Sequence, residues 1–196
     1  MKKMKRLVAV LLAGVMALTM LTACGGGASL FTYNAAISNA LVEKLGIPST
    51  NDKVIVNAIE DTAAVIAETP NEYLTQFNAA VGEALPDDMS NVDMETLQKV
   101  MQNISELQFV QDFSKKLAED TTTSKLPILL LLDRTNTTEN DLLEIVNNMS
   151  ESGTISVPGL SLCVRVYEIE DSLTEAKGDG VWAIFMVVSM DKPEEP

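Results

Sequence analysis

Val181-Trp182-Ala183-Ile184-Phe185-Met186-Val187-Val188-Ser189-Met190 is the stretch that decides the fold. Its valines, isoleucine and aromatic residues favour extended backbone, and from Val181 to Val188 both alternating sides are apolar. A strand of that kind has no face to offer to water, so it is expected to lie centrally with cover on both sides. Upstream, Leu160 to Glu170 reads as a second strand with Leu162, Val164 and Val166 on one face, and Thr154 to Val157 as a third. Pro158-Gly159 marks a tight turn between those two, and Gly178-Asp179-Gly180 the turn leading into the central strand. These strands predict an antiparallel meander.

Before Gly153 the period becomes helical. Asn34 to Leu45 places Ile37, Ala40, Leu41 and Leu45 at helical spacing, with Gly46 as the stop. Ser49 to Asp52 offers a cap for a second helix, buried along Ile55, Ile59, Thr62, Ala63 and Ile66 and ending near Glu68. Thr69-Pro70-Asn71-Glu72 has capping-box spacing with proline in the first helical position. The third helix that follows turns Tyr73, Leu74, Phe77, Val81 and Ala84 inward, and Leu85-Pro86 terminates it.

Ser90 or Asp93 caps the longest helix, Asp93 to Leu117. There Met94, Leu97, Met101, Ile104, Leu107, Val110, Phe113 and Leu117 keep three- and four-residue spacing over about seven turns, which predicts the central core helix. Its methionines, with Phe109 and Phe113, read as packing in preference to a ligand cleft. After a threonine-rich loop at Asp120 to Ser124, Leu126 to Leu132 is apolar without period. Its length favours a buried strand and its four consecutive leucines a helix, and both remain open. Thr138 to Met149 is a further amphipathic helix, with Thr138 and Asp141 spaced as a cap and Leu142, Ile145, Val146 and Met149 inward. The class is α+β: about five helices followed by a C-terminal antiparallel β-meander, in one acidic domain over residues 30–190 with a disordered tail at 191–196.

The other end of the chain has a different logic. Lys2, Lys3, Lys5 and Arg6 head an apolar run from Leu7 to Met20, and Leu21-Thr22-Ala23-Cys24 closes it ahead of Gly25-Gly26-Gly27. A charged head, a short apolar core and small residues at a cut site make a secretory signal peptide over residues 1–23. A retained transmembrane helix normally takes about 20 apolar residues, whereas Leu7 to Ala23 is shorter and interrupted by Gly14, Thr19 and Thr22.

Leu-Thr-Ala-Cys at 21–24 resembles the lipobox of bacterial lipoprotein precursors, a resemblance that covers the leader alone. It implies that a diacylglycerol thioether is attached to Cys24 and that the chain is cut just before it. Residues 24–29 would then be a lipidated cysteine and flexible tether. The expected location is the outer face of the cell membrane, or the periplasmic side of an envelope membrane. Gly25 to Ser29, at about 3.5 Å per residue, reaches no more than roughly 17 Å, so the folded part stays close to the bilayer.

Loss of the leader removes four of the 14 basic residues and none of the 28 acidic ones, which leaves a formal charge of −18. Nucleic acid is excluded as an expected partner, because binding its backbone needs clustered Lys and Arg. Val54 to Gln98 and Thr135 to Val164 contain no basic residue at all. Their carboxylates are scattered, which fits solvated helix faces better than a docking face for cations. With Cys24 used for lipid, Cys163 has no intramolecular partner, and the hydrophobic core must hold the fold.

No histidine occurs anywhere, which removes the usual general base, the usual zinc ligand and every Ser-His or Cys-His pair. Ser189 to Lys192 has Ser-x-x-Lys spacing but runs into the tail, and Gly159-Leu160-Ser161-Leu162-Cys163 lacks the last glycine of a nucleophile elbow. Asp133, Thr135, Thr137 and Glu139 alternate as the first ligands of a calcium loop would, with Thr138 where glycine belongs and Glu144 at the twelfth place; polar loop and helix cap explain them as well. Trp182 reads as core and Cys163 as a buried, inert thiol.

No catalytic residue, metal site or cofactor is therefore expected, and Cys24 is the one assigned site, for lipidation. The expected protein is a membrane-anchored extracytoplasmic lipoprotein whose domain binds an envelope protein or a small ligand without catalysis. The alternatives are an anchored carboxylate-dependent hydrolase and an envelope structural or assembly subunit.

Overall fold

A computed structural model describes residues 31–83, 94–119, 123–148, 157–171 and 179–191. The leader, Cys24 and tether, Leu85-Pro86, the Ser90 or Asp93 cap, Met149, Thr154 to Ser156 and residues 192–196 lie outside them. In chain order the elements are β1 (Phe31–Tyr33), α1 (Ala35–Leu45), α2 (Lys53–Glu68), α3 (Pro70–Gly82), α4 (Met94–Glu106), α5 (Gln108–Ala118), β2 (Thr123–Asp133), α6 (Glu139–Asn148), β3 (Leu160–Glu170) and β4 (Gly180–Asp191). The fold is α+β, with six helices and one four-stranded antiparallel sheet among the described residues.

The sheet order is β1-β3-β4-β2, so the doubly apolar strand β4 lies inside it as its sequence requires. Among the described residues β3 and β4 form the one hairpin; β2 pairs with β4 from across the chain, and α6 separates β2 from β3. Leu126 to Leu132 is strand, starting earlier than expected at Thr123. Pairing with β4 over 11 residues satisfies its inward backbone groups, which outweighs the helix preference of its leucines.

Pro127 fits this assignment by alternation. Leu162 and Val166 direct their backbone groups outward, to Pro48 and Thr50 and to Asn34 and the Ser38 hydroxyl. Cys163 and Arg165 then bond β4, and the same alternation carried across β4 puts Pro127 on the outer edge of β2, where no ladder bond needs an N–H.

Two helical layers sandwich the sheet. On one side α1 and α6 pack Ile37, Leu41, Leu142 and Val146 against Leu162, Val164, Val166, Trp182 and Ile184. On the other, α2 lies on β3, α3 on β4 and β2, and α5 on β2. Phe113 of α5 meets Phe185 of β4 edge-on at 5.5 Å. The predicted inward row of α2, Ile55, Ile59, Thr62, Ala63 and Ile66, is buried throughout.

Caps and turns follow local chemistry. Asn34 caps α1 by accepting from the Ile37 N–H at 3.0 Å, and Asp52 caps α2 by accepting from Val54 at 2.7 Å and Ile55 at 3.3 Å. Val157-Pro158-Gly159-Leu160 is a turn closed by the Leu160 N–H on the Val157 carbonyl at 3.0 Å, with Gly159 at φ 76°. Gly180 has φ 135°, and a Cβ there would stand 2.0 Å from the Ile169 carbonyl oxygen.

The single long helix is corrected. It breaks at Leu107, whose ψ of 132° is extended and whose carbonyl accepts from Val110 and Gln111 to start α5. The break divides one apolar stripe between two neighbours, α4 resting on α3 and α5 on α2 and β2. Core status belongs to α5, where Phe109, Val110, Phe113 and Leu117 are buried; in α4, Met101 is 52 % exposed. The Met94 side chain lies outside the described residues.

Three smaller corrections remain. Thr69 makes no side-chain cap bond, because it both ends α2 and begins α3 and its backbone follows that corner. Ile145 of α6 is exposed, since the inner stripe of that helix is only as wide as Leu142, Leu143 and Val146. Finally, β4 runs to Asp191, one residue into the expected tail, held by its N–H on the Gly159 carbonyl at 3.0 Å.

Candidate functional site

Concavity rather than motif identifies the candidate site. A groove of about 560 Å³ opens between α2, α3 and α5, within the size range of small-ligand sites. Thr62 and Val65 of α2, Tyr73 and Gln76 of α3, and Gln108, Phe109, Asp112, Lys115, Lys116 and the following Glu119 on α5 line it. Gln108, Asp112, Lys115 and Glu119 are spaced by four, three and four residues, which puts them on one flank of α5 beside its buried stripe. The break at Leu107 aims that flank at α2 and α3.

Its wall is aromatic. The rings of Tyr73 and Phe109 meet edge-on, with centroids 5.0 Å apart and planes at 72°. Polar groups rim it in a fixed pattern: Gln108 donates to Asp112 at 2.9 Å, Lys115 pairs with Asp112 at 3.0 Å, and Lys116 with Asp61 at 3.1 Å. Hydrogen bonds from Gln108 and Lys115 hold the Asp112 carboxyl below the usual aspartate range. The Tyr73 phenol moves the other way, raised by burial and then by the charges of Glu68, Glu72 and Asp112.

The residues weighed for chemistry from the sequence do not meet at this groove. Cys24 and Lys192 lie outside the described residues. Cys163 is buried in β3, and burial raises its thiol above the ordinary value, which disfavours thiolate. Ser161 sits within a strand rather than at a strand-to-helix turn. The Ser189 hydroxyl is buried with no hydrogen-bond partner and out of reach of solvent. Trp182 is core, its Nε1 donating to the Thr137 carbonyl at 2.7 Å, with the Arg134 guanidinium over its ring at 5.6 Å and paired to Glu168.

The partial calcium pattern is consumed locally. Asp133 accepts from the Thr135 N–H at 2.8 Å and hydroxyl at 2.6 Å and from Asn136 at 2.5 Å, and Glu139 accepts from Asn34 at 2.9 Å. Thr138 and Asp141 form a reciprocal capping box: the Asp141 N–H donates to the Thr138 hydroxyl oxygen at 3.2 Å, and the Thr138 N–H to the Asp141 carboxylate at 2.8 Å. Among the described residues no group of three or more His, Cys, Asp and Glu could hold a metal ion.

Sequence reasoning placed Tyr73 inward and treated Phe109 as packing, and it missed the groove that they share. The only signal was the polar spacing along Gln108 to Glu119, which any solvated helix flank would show. No helix among the described residues is long and apolar enough to cross a membrane. No protein-family model, curated protein or solved structure matches this chain.

Proposed function

We propose that this chain is a lipid-anchored extracytoplasmic binding protein, with Cys24 as the attachment point and the groove between α2, α3 and α5 as the ligand site. The anchoring half rests on the charged head, short apolar core and Leu-Thr-Ala-Cys of the leader. The binding half rests on one observation, an open groove whose aromatic wall is flanked by hydrogen-bonding and charged side chains. Six residues lie between Cys24 and Phe31, and the seven backbone steps they span, at about 3.5 Å each, limit the reach of the tether to roughly 24 Å.

A hydrolase using carboxylates alone is the weaker reading of the same groove. It would need one carboxylic acid protonated at neutral pH, and Asp112 is pushed the opposite way by Gln108 and Lys115. Glu119 would have to serve as the acid.

Changing Cys24 to serine tests the anchor. The expected result is a shift of the protein from the membrane fraction to the medium or to retained precursor, and unchanged membrane partition would reject lipid attachment. Native mass of the mature chain gives the same answer independently, since the reading requires an acylated residue 24 at its start.

A further inference from the structure

The groove sits in a strongly negative chain, and the two lysines that line it are already neutralised. Lys115 is 3.0 Å from Asp112 and Lys116 is 3.1 Å from Asp61. Among the described residues no cation pairs with Glu68, Glu72 or Glu119. Glu119 lines the groove directly. Glu68 and Glu72 flank the corner from which Tyr73 projects, and their charges, with that of Asp112, act on the phenol in the direction expected of a negative local potential. The potential falls on an aromatic pair, whose ring faces themselves attract cations. Val65, 38 % exposed, adds apolar surface to the same lining.

We infer that the groove selects ligands joining an apolar or aromatic body to a positively charged nitrogen, an ammonium or a guanidinium. The cation meets Tyr73 and Glu119, and the body lies along Val65 and Phe109. An anion of the same shape would meet Glu119 in the lining, with Glu68 and Glu72 near Tyr73 at the corner and both lining lysines already paired to carboxylates, so charge sets the selectivity and the apolar walls set only the fit. The inference rests on the groove being the ligand site. The positive nitrogen belongs either to a free organic amine or to a Lys or Arg side chain of a peptide.

The test uses the full-length protein in detergent with its tyrosines carbon-13 labelled. There are three tyrosines, so the Tyr73 signal is assigned by Tyr73→Phe. Three probes of one shape are titrated: phenylethylammonium, neutral phenylethanol and anionic phenylpropionate. A capped Phe-Arg dipeptide forms a fourth arm. The expected result is a saturable Tyr73 shift from phenylethylammonium at least about tenfold tighter than from the neutral probe, weakened about threefold by Glu72→Gln and further by added salt. Tighter binding of the dipeptide than of the amine assigns the cation to a peptide, and the reverse order to a free amine. Equal shifts from all three charge types would overturn cation selectivity while leaving the groove as a ligand site. No Tyr73 shift from any probe would overturn both.

Discussion

The two faces of β4 are built from similarly apolar side chains and end up covered to different depths. Toward α2, α3 and α5, Val181, Ala183, Phe185 and Val187 are all fully enclosed, Phe185 at 0 % exposure. Toward α1 and α6, Trp182 and Ile184 are buried, Met186 and Val188 are partly covered, and Met190 is 47 % exposed. The neighbouring strand β2 repeats the contrast, with Leu129 at 2 % exposure on the first face and Leu126 at 55 % on the second. Alternating apolar residues therefore reveal that a strand is sandwiched and stay silent on the thickness of each layer, because that depends on helices arriving from distant sequence.

Core truncations should break this comparison first. Phe185→Ala removes the ring facing Phe113 and is expected to cost about 3 to 5 kcal/mol, seen as a large fall in the denaturant midpoint. Leu129→Ala should cost about 2 to 5 kcal/mol, whereas Leu126→Ala should stay within about 1 kcal/mol because its side chain already meets water. Equal losses at the two leucines would mean that the faces are equally covered after all.

The helix caps sharpen it at smaller scale. On the thin face, α6 starts at the reciprocal Thr138 and Asp141 box, and Thr138→Ala should cost about 1 kcal/mol. On the thick face, Thr69 makes no side-chain cap bond and α3 is held by burial of Leu74, Phe77 and Ala80, so Thr69→Ala should change stability by only about a few tenths of a kcal/mol. Paired denaturation curves decide between them, and a larger effect at Thr69 would refute the packing account.

The smallest effect is in the acid limb. Hydrogen bonds from Thr138 hold the Asp141 carboxyl below its ordinary value of 3.8. A depressed folded value means that the contribution is complete above the unfolded value and is lost as pH falls through the folded one. Asp141→Asn should therefore flatten stability against pH below about 4 while leaving the slope near neutrality unchanged, and an unaltered acid limb would show that the cap bond carries no charge dependence.

How much was legible varies with how local the cause is. The α2 row, the Asp52 cap, the Pro158-Gly159 turn and the Thr138 box were readable because each depends on short-range spacing. The three-residue β1 was not, since its only reason for being extended is pairing of Phe31 to Tyr33 with Tyr167 to Ile169 of β3. Ser38 is similar: nothing in an amphipathic helix predicts a buried serine, yet its hydroxyl donates to the Asn34 carbonyl at 2.7 Å and accepts from the Val166 N–H at 3.0 Å, tying α1 to the sheet edge. The groove was less legible still, because Tyr73 and Phe109 are 36 positions apart and are joined by a turn at Leu107 that no Gly or Pro announces.

By itself the sequence determined the class of the fold, the doubly apolar central strand, the amphipathic helices and the negative charge, since these follow from residue type and short-range period. Tertiary structure alone decided that Leu126 to Leu132 is strand, that one long stripe serves two helices, and that Tyr73 and Phe109 line one groove with Glu119. Each of those depends on which distant surface is close enough to satisfy a backbone group or cover an apolar side chain, and short-range period carries no record of that distance.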